Sequence, residues 1–287
     1  MKYLLYIISL FLYSCQSKSY NTQLSLKEAK SNKSDIEKVL KHYESNKQKL
    51  DAAKFLIQYM PYHYNKNNSN HVNLQEIYDK HVAISEKYNW IKPLSLWQQE
   101  IDSLEKSYTQ LISSFHILNY NTDIKTIKSD WLIKQIDIAF TAWKNNIYTK
   151  DYPFETFCEF ILPYRFKEGI VLDDSKVIFY QRHHSLFKDS TKASFIQKID
   201  SILFYYKDIR FNNYYGDKIP INSAKALEQI KYGQCGDRSW FNSLALASCG
   251  VAASIDFAPS QGNRNNSHTW NAIITPTETI PFEPFWD

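Results

Sequence analysis

A cysteine in the last quarter of the chain has surroundings that favour a reactive thiol. Cys235 lies in the segment YGQCGD, between Gly233 and Gly236, where a helical pattern that runs to about Ser248 begins. The positive end of a helix dipole and the unpaired N–H groups of a first turn favour a thiolate, and glycines let a substrate backbone approach closely. The same N–H groups could hold an oxyanion when a carbonyl is attacked. Gln234 and Gly236 are therefore candidate oxyanion or substrate contacts.

Two more residues could complete a nucleophilic site. His268 begins a predicted strand, SHTWNAI, after a polar loop, and Glu283 lies in IPFEP on the next predicted strand. A nucleophilic cysteine needs a nearby histidine that holds the ion pair and protonates the leaving group. That histidine needs an acceptor that fixes its tautomer. Cys235, His268 and Glu283 are thus the candidate catalytic residues.

These three motifs, in this order and at these separations, resemble the transglutaminase-like superfamily. Its Gly-x-Cys motif at a helix start matches at Cys235, and its His-x-Trp motif matches at His268 and Trp270. Glu283, followed by proline, stands where the family usually has Asp-Pro. The glutamate keeps the carboxylate on a side chain that is one methylene longer. The resemblance covers about residues 150–287. It implies a papain-like core with a Cys-His-acid triad, and it makes Trp270 a candidate substrate contact.

The elements around these motifs favour an α+β fold. Residues 34–150 are predicted to form a helical region, with helices at about 73–89 and 94–118 and one that Ser129 and Asp130 cap. Residues 151–287 would form the transglutaminase-like domain, in which a helix bearing the cysteine is followed by antiparallel strands. Because the sequence ends shortly after Glu283 and such cores commonly carry further strands, the expectation includes a C-terminally truncated core.

The N-terminus has the features of a secretory signal peptide. Lys2 precedes an apolar run over residues 3–13, which is shorter than the roughly 20 residues of a membrane-spanning helix. The run ends in Leu-Tyr-Ser-Cys15, which resembles the lipobox of bacterial lipoproteins. The resemblance implies a signal peptide over residues 1–14, a lipid on Cys15 and a location at the bacterial cell envelope, on its periplasmic side or outer surface. Residues 15–33 would be a flexible tether. The alternative is an ordinary signal peptide with a coincidental cysteine.

Charge and motif content exclude several other classes. The 34 Lys and Arg residues against 30 Asp and Glu residues leave a net charge of +4 without long basic runs, so we expect no nucleic-acid partner. His183 and His184 are adjacent, so their side chains diverge, and we expect no metal and no cofactor. Cys158 and Cys249 are interpreted as two separate buried thiols, with a disulfide between them as the alternative.

The predicted function is thiol-dependent acyl transfer on amide bonds. Water as the acceptor would make the protein a cysteine peptidase or amidase acting on a peptide or protein, and a lysine amine would give a cross-link. Hydrolysis is favoured because no calcium-binding loop is visible. The alternative is a non-catalytic module that binds a peptide or glycan in the same groove. The sequence gives no indication of the oligomeric state.

Overall fold

The fold is α+β and mostly helical. A computed structural model describes residues 21–66, 74–90, 95–116, 120–188, 194–211, 219–260, 262 and 266–285. The predicted signal peptide, residues 1–14, and the predicted lipidation site, Cys15, lie outside the described residues.

Helices account for most of the described chain. Their bounds are α1 Thr22–Glu28, α2 Lys33–His42, α3 Lys47–Tyr59, α4 Leu74–Lys87, α5 Ser95–Ser107, α6 Thr109–His116, α7 Asp123–Thr126, α8 Ser129–Asn145, α9 Phe154–Thr156, α10 Ser175–His183, α11 Phe195–Tyr205, α12 Ala224–Ile230 and α13 Cys235–Ser248. Short 3-10 helices cover Lys30–Asn32 and His184–Phe187, and a π-helix covers Phe157–Ile161.

The strands form three small sheets within the described part of the chain. They are β1 Tyr64–Lys66, β2 Tyr120–Thr122, β3 Arg210–Phe211, β4 Tyr232–Gly233, β5 Ala253–Ala258, β6 His268–Ile274 and β7 Thr279–Phe282. Strands β1 and β2 pair antiparallel, β3 and β4 pair parallel, and β5, β6 and β7 form an antiparallel sheet in that order. The strand predicted after the loop that follows β5 begins at His268, as the sequence indicates.

The prediction of a flexible tether is wrong for residues 21–33. Asn21 caps α1 by accepting a hydrogen bond from the backbone N–H of Leu24, and a 3-10 turn then leads into α2. Leu26 and Ala29 are buried in the core. The buried side chain of Asn32 donates to the carbonyl oxygens of Ile124 and Ile127, 3.1 and 2.8 Å away. The polar composition of this segment suggested flexibility, but contacts with residues about 90 positions later in the chain keep it ordered.

Buried apolar side chains form three clusters among the described residues, and these clusters cross the predicted domain boundary at residue 150. The first joins α1–α3 and α8 to Phe157 and its neighbours. The second joins α10–α13 to the β5–β7 sheet. The third joins α4–α6 to Ala226 and Ile230 of α12 and to Tyr232. The helices of the N-terminal half therefore support the segment that leads to Cys235.

A buried ion pair fastens this N-terminal half to the segment after the π-helix. The Arg165 guanidinium donates to both carboxylate oxygens of Asp123, at 2.7 and 2.8 Å, and the Tyr164 hydroxyl donates to the same carboxylate at 3.1 Å. Both charged side chains are at most 1% exposed. The bidentate geometry supplies the paired hydrogen bonds that a buried charge requires.

Helix α13 ends in a Schellman motif that packs against α8. The N–H of Val251 donates to the carbonyl of Leu246, and the N–H of Gly250 donates to the carbonyl of Ala247. Gly250 has a φ of +76°, and a Cβ on it would lie 2.4 Å from the carbonyl oxygen of Ala142. Because the N–H of Val251 belongs to this motif, the strand starts later than predicted: β5 begins at Ala253 and not at Val251.

Replacing Gly250 with alanine should destabilise the protein by roughly 1–3 kcal/mol from the positive φ alone, and the overlap with α8 should add to this loss. Urea unfolding would measure the change. Gly262→Ala is the matched control, because a Cβ there meets nothing within 4 Å. Equal stability of the two variants would contradict this description of the α8–α13 contact.

Candidate active site

Cys235 is the first residue of α13, as its sequence context predicts. The preceding residue, Gln234, is the N-cap and has an extended backbone, with φ −82° and ψ 170°. The cysteine is partly exposed, and its thiol is free. The first intrahelical bond of α13 runs from the N–H of Arg238 to the carbonyl of Gln234, so the N–H groups of Cys235 and Gly236 have no partner within the helix. Among the described residues, neither N–H group is seen with a hydrogen-bond acceptor, so both can donate to a group bound next to the thiol.

The two glycines beside Cys235 have different roles. A Cβ on Gly233 would lie 3.0 Å from the Cβ of Asp237 and 3.1 Å from the side chain of Leu227, so only glycine fits there without a shift. A Cβ on Gly236 would meet nothing within 4 Å. Gly233 therefore serves packing at the helix start, whereas Gly236 borders open space next to the thiol.

Asp237 fixes the entry into α13. Its Oδ2 accepts a hydrogen bond from the backbone N–H of Gln234 at 3.1 Å, which is the carboxylate half of a capping box. Its Oδ1 accepts from the ammonium of Lys167 at 2.6 Å. The Lys167 ammonium thus offsets the negative charge of Asp237 next to the start of α13.

His268 and Glu283 are brought together, as predicted. His268 Nε2 lies 3.0 Å from Glu283 Oε2. In the sheet, Asn271 pairs with Phe282, so Glu283 lies next to Trp270 and reaches diagonally to the histidine. The Trp270 ring stacks on the imidazole with a centroid distance of 5.9 Å and an interplanar angle of 26°. The imidazole is therefore held by a carboxylate and an aromatic ring, and its Nδ1 has no hydrogen-bond partner within the described part of the chain.

A buried polar network ties the His268 strand to the Cys235 helix. The Asn271 amide donates to the Ser239 carbonyl at 3.0 Å, to Ser243 Oγ at 3.1 Å and to the Ser254 carbonyl at 3.1 Å. Asn271 Oδ1 accepts from the amide of Asn242 at 3.2 Å. Asn271 is fully buried. One amide thus joins α13 to both β5 and β6.

The same network fixes the residue after Glu283. The carbonyl oxygen of Pro284 accepts from Asn242 Nδ2 at 2.9 Å and from Arg238 Nε at 3.0 Å. Arg238 also donates to the Leu203 carbonyl at 3.3 Å. It is fully buried, and burial lowers the pKa of its guanidinium to about 9. Glu283 is consequently anchored through its neighbour, although its own side chain is 71% exposed.

The structure does not join Cys235 to His268. Asn271 and Ile273 face α13, so the alternate side chains of β6, His268 and Trp270, project from the opposite face of the strand. Within the described residues, the Cys235 thiol has no hydrogen-bond partner and the imidazole is paired with Glu283. Asn271 nevertheless contacts Ser239 and Ser243 of α13. The Pro284 carbonyl, which lies two residues beyond the partner of Asn271 and so toward the His268 end of β6, contacts Arg238 and Asn242. The His268 end of β6 therefore lies toward the Cys235 end of α13.

Sequence reasoning missed the residues that position the site. They are Lys167, Asp237, Arg238, Asn242 and Asn271. A sequence signal exists for Asp237, since an acidic residue three positions after an N-cap is typical of a capping box. Arg238 and Asn242 stand four apart in a helix that is buried from Asp237 onward, but their partner, the Pro284 carbonyl, has no sequence signature.

The other two cysteines differ from Cys235. Cys158 and Cys249 are both buried and unpaired. Burial raises the pKa of the Cys158 thiol to about 12 and also raises that of Cys249. Neither thiol is therefore a nucleophile near neutral pH. No group of His, Cys, Asp and Glu side chains suited to a metal ion occurs in the described ranges.

Comparisons of the chain with family models, with curated proteins and with solved structures found no match. None of the helices over the described residues is both long and apolar enough to cross a membrane.

Replacing Asn271 with alanine should cost about 2–4 kcal/mol, because it creates a cavity and leaves buried carbonyl and amide groups unpaired. Chemical denaturation would measure the loss. Asn145→Ala is the control, since the exposed Asn145 makes one long bond of 3.4 Å to Tyr180. A loss as small as that of the control would show that the network does not hold the site together.

Proposed function

We propose that the protein catalyses thiol-dependent acyl transfer, with Cys235 as nucleophile, His268 as proton donor to the leaving group and Glu283 as the orienting acceptor. The observation that carries the proposal is a partly exposed thiol at a helix start, at the same end of α13 and β6 as an imidazole–carboxylate pair. Lys167 pairs with Asp237 and so offsets the carboxylate charge next to the helix start.

The reaction would proceed through a thioester. Cys235 Sγ attacks an amide carbon and forms the S–C bond, while the C–N bond breaks and the amine leaves with a proton from His268. Backbone N–H groups of Cys235 and Gly236 hold the oxyanion. Water then cleaves the thioester, with His268 accepting its proton. Because Glu283 occupies Nε2, Nδ1 is the nitrogen that serves the thiol.

The reaction requires a second conformation at the start of β6, because His268 and Asn271 project from opposite faces of the strand. In that conformation, which the free protein must also populate, the His268 imidazole turns toward Cys235. Hydrogen bonds between catalytic groups are often long or poorly aligned without substrate and tighten in the reacting complex. Because His268 is the first residue of β6, the change is confined to the strand end and leaves Asn271 in place.

A papain-like core of transglutaminase type is the fold we propose for this region. The order of a Cys-bearing helix followed by the antiparallel strands β5, β6 and β7, with His268 and Glu283 on neighbouring strands, supports it. The substrate class that follows is a peptide or protein amide, and hydrolysis is the favoured outcome.

A binding module is the second candidate. The absence of a hydrogen bond between Cys235 and His268 in the described residues favours it, as does the high exposure of the Glu283 carboxylate. In that case a peptide or glycan would occupy the open space at Gly236 and contact Glu283, and no bond of the ligand would be broken.

We also propose that the protein is a lipoprotein of the bacterial cell envelope, anchored in the membrane through Cys15. The apolar run before the motif Leu-Tyr-Ser-Cys supports this location. A lipid-anchored hydrolase would act on envelope peptides or proteins.

The activated thiol can be tested by alkylation. Cys235 should react with iodoacetamide at mildly acidic pH, where an ordinary thiol of pKa about 8.5 is protonated, whereas Cys158 and Cys249 should stay unmodified. His268→Ala should return Cys235 to an ordinary pH profile, and Glu283→Gln should weaken the reactivity less because a hydrogen-bond acceptor remains. Peptide mapping by mass spectrometry would give the rate at each cysteine.

The outcome also separates the two candidate functions. A wild-type profile like that of a free thiol, or one indifferent to His268→Ala, would exclude an activated nucleophile and leave the binding module. Gly236→Ala is a useful companion variant, since its new methyl group enters the open space without a clash. It should impair substrate turnover while leaving alkylation by the small reagent largely intact.

Anchoring predicts that the mature protein partitions with membranes, since two or more acyl chains give stable association. Cys15→Ser should release the protein or block its processing. Fractionation of cells that express each form would show it. Unchanged membrane association of Cys15→Ser would rule out a lipid on this residue.

A further inference from the structure

Helix α1 begins close to the predicted lipid anchor. Asn21 caps this helix, so residues 16–20 alone separate the cap from Cys15. An extended chain advances at most about 3.6 Å per residue, which limits the distance between the Cα atoms of Cys15 and Asn21 to about 22 Å. A lipid on Cys15 would therefore keep the surface around α1 next to the membrane.

The surface of α1 is positively charged. Lys27 and Lys30 are exposed, and neither ammonium has a carboxylate within ion-pair distance among the described residues. The sequence over 16–34 contains four lysines against one acidic residue, Glu28, a net charge of +3. Leu24, three residues before Lys27 and hence on the same side of the helix, is 53% exposed. The surface thus combines unpaired positive charge with an exposed apolar side chain.

Lys30 stands at a backbone position that favours glycine. Its φ is +51°, in the left-handed region, where α1 gives way to the 3-10 helix. A lysine costs more than a glycine in this conformation. Its ammonium makes no hydrogen bond or ion pair within the described part of the chain. Because a strained residue that the fold does not explain points to function, Lys30 indicates a contact outside the protein.

Exposed tyrosines lie near the elements that α1 packs against. Helix α1 contacts α3 and α7. The N–H of Ile124 in α7 donates to the carbonyl of Met60, directly after α3, at 3.3 Å. Three tyrosines close in sequence to this junction are exposed: Tyr59, Tyr62 and Tyr120. Tyrosine is enriched at membrane–water interfaces, because its ring is apolar and its hydroxyl is polar. The neighbourhood of α1 therefore carries residue types that such an interface favours.

We propose, on the basis of the lipid anchor at Cys15, that the α1 surface of Leu24, Lys27 and Lys30 lies on a membrane that contains anionic lipids. The ammonium groups contact the phosphates of the headgroups, and Leu24 enters the headgroup region. Each lysine near an anionic membrane favours contact about fivefold. A lipid alone limits the distance of the protein from the bilayer, whereas this second contact also sets its orientation.

Lysine labelling on vesicles tests this contact. The full chain with its lipid is added to preformed vesicles of phosphatidylcholine, or of phosphatidylcholine and phosphatidylglycerol in equal parts, and treated with a water-soluble acylating reagent. Peptide mapping by mass spectrometry gives the rate at each lysine. Lys27 and Lys30 should react at least about fivefold more slowly on the anionic vesicles. Exposed lysines of helices that pack against α4, Lys106 and Lys225, should react at similar rates on both.

Flotation of the vesicles distinguishes a failed contact from a failed anchor. Protein that floats with both kinds of vesicle but reacts equally at Lys27 on both is anchored without the contact, which overturns the proposed surface and leaves the lipid in place. Protein that floats with neither has no anchor, which overturns both. Salt at about 1 M shortens the Debye length to about 3 Å, so it should abolish the protection of Lys27 while the protein stays on the vesicles.

Charge reversal provides the matched comparison. Lys27→Glu should raise the rate at Lys30 on anionic vesicles to nearly the rate on neutral ones, because the contact loses an attraction and gains a repulsion. Lys106→Glu changes the net charge equally on another helix and should leave the protection of Lys30 unchanged. Protection of Lys30 that persists in Lys27→Glu, or that is lost in Lys106→Glu, would contradict the assignment.

Discussion

The buried amide of Asn271 is the contact on which the candidate site depends. It holds β6 against α13 through two residues of the helix and reaches β5 as well. Asn242 extends the same network to the Pro284 carbonyl and so to the end of β7. Buried hydrogen bonds are costly to break, so this network fixes α13, β6 and β7 relative to one another. It thereby positions Cys235, His268 and Glu283, although its own residues take no part in the proposed reaction.

Buried positive charge is a second constraint on the same region. Arg238, fully buried one turn after Cys235, keeps its guanidinium among carbonyl oxygens and aromatic rings, with Tyr206 and Phe241 at 5.9 and 5.5 Å. Burial disfavours its charged form and lowers its pKa, so an adjacent negative charge would stabilise it.

Local signals account for what the sequence could predict. The glycines beside Cys235 and the alternation that begins at His268 are short-range patterns, and the helix and strand begin at these residues. The pairing of His268 with Glu283 follows from two neighbouring strands. The order of residues 21–33, the shared clusters across residue 150 and the Asn271 network depend on contacts between distant segments. No periodicity in the chain encodes those contacts, so the sequence could not predict them.

The proposed reaction requires Cys235 and His268 to interact, and NMR titration of the His268 ring tests this most directly. The spectra of the wild type and of Cys235→Ser would be compared across the pH range. When two ionisable groups interact, the protonation of one depends on that of the other. The titration curve of His268 should therefore change when the thiol is replaced. An identical curve in both proteins would show that the imidazole does not interact with Cys235 and would contradict the account.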